Sequence, residues 1–162
     1  MVEINVFNIE KDDDETQVIL GHATFIKTAE DLYEAMINAT PSVKFGIAFA
    51  EASGPCLIRS EGNDHSLRRL AEANMASIRA GHTFIILFKN AYPINVIKDI
   101  KDVGEVVSIH CATANPLQVV VAKTEQGTGI IGVIDGNSSR GVETLDDKDS
   151  RRRLLRNTGY KK

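Results

Sequence analysis

The chain has 162 residues, 43% of them hydrophobic and 25% charged, with a net charge of −3. That length supports one domain with a substantial core, and the mild acidity excludes bulk nucleic-acid binding, which needs a basic surface. Cys56 and Cys111 are too far apart in sequence for a disulfide framework or a zinc spacing. No apolar run is long enough for a bilayer. The N-terminal MVEINVFNIEKDDDE lacks a secretory pattern, so the expected location is the cytoplasm, without membrane or nucleic-acid partners.

In chain order, Val2–Ile9 alternates and predicts a first strand. Lys11 to Glu15 reads as an exposed acidic turn, with no calcium-loop spacing. Thr16–Phe25 predicts a second strand, making a hairpin with the first. Thr28 is the expected N-cap of a helix that carries Glu30 and Asp31 in its first turn, places Leu32, Tyr33, Met36 and Ile37 on one face, and stops at Pro41.

The stretch Lys44–Asp64, KFGIAFAEASGPCLIRSEGND, reads strand, tight loop, strand, loop, helix start. Phe45, Ile47 and Phe49 give the strand one bulky face. Glu51, Ser53 and Gly54 meet where it ends, and Gly54-Pro55 is a strong turn signal. Cys56-Leu57-Ile58 resumes the strand and Arg59 leaves it. Taken alone, this is a hairpin with a polar rim followed by a capped helix. The turn nevertheless holds more charge and amide groups than a connector needs.

A second helix is predicted from Asn63 or Asp64 to Ala80, with Leu67, Leu70, Ala71, Asn74 and Ile78 on one face and Gly81 as its C-terminal cap. His82–Phe88 is almost unbroken apolar sequence, the mark of a strand buried on both faces. Pro93 opens a short helix with Ile94, Ile97 and Ile100 inward. Glu105–Cys111, Leu117–Lys123 and Ile130–Asp135 are strands. Asn115-Pro116 makes the first connection between them. A charged tail holding Arg151, Arg152, Arg153 and Arg156 forms a final short helix ending near Gly159. The sum is a mixed α/β (α+β) domain over residues 1–162, with about eight strands in a mixed sheet covered by helices.

Several motifs bear on chemistry. Gly127-Thr-Gly129-Ile-Ile-Gly132 fits the dinucleotide fingerprint in letters but precedes a strand, so it makes a turn instead. Ser53 lacks the nucleophile-elbow context. Cys111 is read as a buried small hydrophobe before a reactive thiol. Of four histidines, His65 is expected to be solvated, His110 packed or at an edge, and His22 undecided in facing. His82, at the start of the buried strand, could be structural, a general base or a phosphoryl carrier. Glu51 and Asp135 both end strands, so each could cap a turn, act as base or hold Mg²⁺.

Together KFGIAFAEASGP, RSEGND, the Ala80-Gly81-His82 junction, PINVIKDIKDV, CATANP, GIIGVIDG and the arginine-rich tail ending in GYKK resemble the adenosine-specific kinase family over nearly the whole chain. The resemblance implies a compact mixed α/β domain that binds adenosine or AMP, phosphorylates adenosine, uses a phosphohistidine, and assembles as a homo-oligomer. Where the family pattern reads Gly-Gln-x-His-Phe-Ile-Lys-Thr, this chain has Gly21-His22-Ala23-Thr24-Phe25-Ile26-Lys27-Thr28. Thr24 in place of a histidine leaves His82 as the better-placed one.

The resulting expectation is a nucleoside kinase using ATP or another phosphate donor, with Mg²⁺ at Glu51 or Asp135. Its catalytic residues are His82, Glu51 and Asp135, and its substrate contacts Ser53, Gly54, Arg59, Asn63, Asp64 and Asn115. The N-terminus of the second helix and Arg59 would attract phosphate, and Asn115 would read the adenine edge or a ribose hydroxyl. A non-catalytic adenosine or AMP sensor, and a histidine-dependent phosphatase or phosphotransfer shuttle, are the alternatives.

Overall fold

A computed structural model describes all residues from Met1 to Lys162. Eight strands and four helices follow in the order β1 (Glu3–Asn8), β2 (Gln17–Ala23), α1 (Thr28–Ala39), β3 (Lys44–Ala50), β4 (Ile58–Gly62), α2 (His65–Ile78), β5 (Thr83–Lys89), α3 (Pro93–Lys101), β6 (Val106–Thr113), β7 (Leu117–Lys123), β8 (Thr128–Asp135) and α4 (Leu145–Asn157). The α+β class stands as expected. The strands form two antiparallel sheets instead of one mixed sheet, in the orders β4-β3-β5-β2-β6 and β1-β7-β8.

The unbroken apolar strand β5 lies at the centre of the five-stranded sheet. Its alternating side chains feed two cores. Phe84, Ile86 and Phe88 join Leu32, Met36, Val96 and Ile100 under α1 and α3. Ile85 and Leu87 join Leu67, Met75, Leu117 and Val119 on the other face, where α2 and the three-stranded sheet pack.

The predicted β1–β2 hairpin does not form. β1 pairs with β7, while β2 pairs with β5 and β6. The intervening segment is a pinned bridge between sheets. Asn74 of α2 accepts from the Glu10 N–H at 2.8 Å and donates to the Glu10 carbonyl at 2.9 Å. The Lys11 ammonium donates to the carbonyls of Thr16, Ala114 and Asn115. The acidic turn is tied down as well, because Lys89 binds both Asp12 and Asp13 at 2.6 Å.

Other local expectations shift for physical reasons. Thr28 is the first helical residue and fully buried, because a turn with Thr28 N–H on the Phe25 carbonyl already leads into α1. Arg59 lies inside β4, opposite Phe49. The end of α2 is capped by Arg79 in the left-handed region at φ +56°, not by Gly81. Gly81 instead lets the chain pass under Ala52, whose Cβ would lie 3.0 Å from any Cβ placed there. In α3, Val96 and Ile100 are buried, whereas Ile94 is exposed. Ile37 of α1 is also exposed, while Tyr33 packs on Phe45.

Helix α2 sits directly on β3 at Gly46, where a Cβ would fall 2.1 Å from the Arg68 backbone nitrogen. Backbone cannot move aside as a side chain can. Gly46→Ala should therefore cost about 3 kcal/mol, the upper end of ordinary overpacking costs. An unchanged urea midpoint would show that α2 is not held at this contact.

Candidate active site

Strands β2, β3 and β5 run side by side, so the end of β2, the end of β3 and the start of β5 share one edge of the five-stranded sheet. His82 stands at that edge. Its N–H donates to the Ala50 carbonyl at 2.8 Å, and its carbonyl accepts from the Ala23 N–H at 2.9 Å. Both neighbouring strand ends thus fix its backbone. The fixed conformation has φ +62°, the left-handed region that non-glycine residues avoid. Such strain persists only where the surroundings over-determine it.

The half-buried imidazole is held by rings. It stacks on Phe49 at 6.0 Å between centroids and meets His22 edge-on at 5.8 Å. Beside it lies a shallow cavity of about 370 Å³ lined by His82, Phe49, the Thr24–Ile26 corner and the Glu51–Pro55 turn. Four expected site residues, Glu51, Ser53, Gly54 and His82, therefore converge. Gly54 adopts φ +64° in the turn, with open space around it.

Glu51 is oriented from two sides. Its carboxylate accepts the Leu57 N–H at 2.8 Å and the Arg59 guanidinium at 2.9 Å. Those bonds, the backbone one first, hold its carboxyl below the usual range. Arg59 is paired with Glu51 and is not among the cavity-lining residues. Its Nε is buried without a partner.

The remaining expected residues lie elsewhere. Asn63 joins strand to strand, accepting from Phe45 N–H and donating to the Val43 carbonyl. Asp64 caps α2 by accepting from Leu67 N–H. This puts a carboxylate where a phosphate was expected. Asn115 donates to Asp135 at 3.2 Å. Both sit past Thr113, which pairs with Val18, at the opposite end of β2 from His22. One chain does not bring them to His82.

Sequence reasoning missed Phe25 and Ile26, which stand 48% and 44% exposed at the cavity rim. Their signal was two large apolar residues between a strand end and a helix start. It also missed the histidine row. A register shift between Leu20 and Gly21 bulges β6 opposite β2, with His110 as the extra residue. Burial, and secondly His82, holds His22 below the ordinary imidazole range. Burial and then His22 do the same for His110. Cys111 is pushed up to about 11 by burial and the Asp135 charge, so it remains a thiol at neutral pH.

Because both histidines titrate lower in the fold than in the unfolded chain, the unfolded chain takes up protons first as pH falls through about 6.5. Their stabilising contribution is complete above that value and is lost on acidification. The urea midpoint should drop between pH 7.5 and 5.5, and His110→Gln should flatten that drop. A pH-independent midpoint would rule out buried neutral imidazoles.

A search of curated proteins finds no match to this chain. A crystal structure of a protein from Pyrococcus horikoshii OT3 superposes with a TM-score of 0.96 at 47% identity, covering 100% of this chain and 99% of that one. No helix is long and apolar enough to cross a membrane. The family model described as adenosine specific kinase matches residues 7–161, and the chain belongs to that family.

Proposed function

We propose that this protein binds adenosine in the strand-end cavity and transfers to it a phosphoryl group from ATP or a related donor. The supporting observation is the His82 imidazole, fixed at a strained strand end inside a cavity that also holds the Glu51–Gly54 turn. In this reading the nucleoside base lies against Phe25 and Ile26, a flat apolar rim suited to a purine. The Ser53 hydroxyl and the Gly54 backbone contact the ribose or phosphate.

In the direct route the primary ribose hydroxyl attacks the terminal phosphorus of the donor. The new O–P bond forms as the bridging P–O bond breaks, the hydroxyl proton passes to His82, and the nucleoside diphosphate leaves. In the stepwise route an imidazole nitrogen of His82 attacks the terminal phosphorus as the bridging P–O bond breaks and the nucleoside diphosphate leaves. The ribose hydroxyl of adenosine then forms the new O–P bond as the N–P bond breaks, its proton passes to the freed imidazole, and AMP results. In both, Glu51 and Arg59 hold the turn against which the donor sits.

Magnesium fits this site only as a companion of the donor. The Glu51 oxygens are committed to Leu57 and Arg59, Asp135 is remote, and no group of three His, Cys, Asp or Glu side chains could hold a metal. Mg²⁺ would arrive on the donor phosphates with its waters, and no step runs through it here. A second reading, a non-catalytic adenosine or AMP sensor, is favoured by one feature. No lysine or arginine lines the cavity to neutralise a transferring phosphoryl group.

His82→Ala should lower adenosine-dependent ATP consumption at least about 100-fold, the lower end for losing a proton-transfer group. Phe25→Ala should raise the adenosine KM about tenfold with kcat retained, as expected for a lost base-stacking contact. Full turnover in a folded His82→Ala protein would remove the histidine from the mechanism. Adenosine binding without turnover in the unaltered protein would favour the sensor, and release of free phosphate a phosphatase.

A further inference from the structure

Helix α4 is defined at both ends yet contributes no residue to a core. Thr144 and Asp147 form a reciprocal capping box, and the Tyr160 and Lys161 N–H groups close on the Leu155 carbonyl. None of its residues is buried. Every hydrogen bond and ion pair made by residues 140–162 is internal to that segment, as with Arg151 and Glu143. A 13-residue helix is at the length, about 12–15 residues, where an isolated helix is marginal in water. In and beside it Val142, Leu145, Leu154 and Tyr160 face solvent, and Leu155 is only partly covered.

The same chain carries an uncovered surface. In the β1-β7-β8 sheet, Leu117, Val119 and Val121 point inward to the core. The opposite face has no helix on it and presents Ile4, Val6, Ile131 and Ile134, between 49% and 60% exposed. A Cβ at Gly129 or Gly132 would meet nothing within 4 Å, so this part of β8 is flat and open.

Charge separates the arm from the rest of the chain. Residues 140–162 hold eight Lys and Arg against four Asp and Glu, a net +4, leaving eleven against eighteen, a net −7, on residues 1–139. The arm begins just after β8, a strand of the open face, yet does not fold back onto it. Exchange of such an element between identical chains needs no new fold.

We infer that residues 140–162 form an arm that seats on the outer face of the β1-β7-β8 sheet of a second copy of this chain. The Leu154 and Tyr160 end covers the exposed isoleucines, and the basic arm meets the acidic body of its partner.

Sedimentation velocity on the full-length chain tests this, with Leu154→Asp/Tyr160→Asp in the arm and Ile4→Asp or Ile134→Asp on the face. The unaltered protein should associate at micromolar concentration, and each class of variant should weaken association at least tenfold. Circular dichroism checks folding, and Ile134→Ser serves as a milder face variant. A monomer at 100 μM, or either class of variant leaving association unchanged, would overturn the inference. Restored association on combining Leu154→Lys with Ile134→Asp would show that arm and face touch each other.

Discussion

The structure depends on β5 being buried on both faces. A strand in that position cannot leave any backbone group unpaired, so β2 and β3 flank it along its length. It also needs apolar cover on both sides, which α1 and α3 provide on one and α2 with the small sheet on the other. Gly21 and Gly46 follow from this demand. The first admits Phe84 into the space a Cβ would fill, and the second admits the backbone of α2.

The proposed site sits where this constraint ends. His82 is the last residue before the buried run, and its two backbone hydrogen bonds extend the sheet by one position into a left-handed conformation. The imidazole is thereby presented sideways, against Phe49 and His22, at the mouth of the cavity. The Glu51–Arg59 pair closes the base of the β3–β4 hairpin and holds the opposite wall. Rigid strand ends would supply what the proposed phosphoryl transfer chiefly asks of a protein, namely fixed positions.

Much of this was legible in the chain itself. Pattern marked most of the strands and helices, since β5 is too apolar to be an amphipathic strand and α2 repeats its apolar residues at helical spacing. The exception is β4, which reads from sequence as residues 56–58 and instead runs from Ile58 to Gly62. Glu51, Ser53 and Gly54 could be grouped because a strand end and a turn lie within a few residues of each other, and His82 stood out as the residue that opens the buried strand; the structure brings all four to one cavity. Pairing between distant strands leaves no local trace. The β1–β2 hairpin was expected because adjacent strands usually pair, and a segment pinned by Asn74 and Lys11 overrode it. The same blindness grouped Asp135 and Asn115 with His82, although topology sends them to the other end of β2. Asn63 and Asp64 carried polar groups that the backbone itself uses.

The most direct test of a nucleoside-phosphorylating site at His82 is mass spectrometry of the purified protein after incubation with Mg²⁺ and ATP, with and without adenosine. The account predicts AMP formation whenever adenosine is present. In the stepwise route it also predicts an acid-labile phosphate on His82 that adenosine discharges. An unlabelled protein that forms no AMP, yet carries adenosine through native ionisation, would contradict catalysis and leave the cavity as a binding site alone.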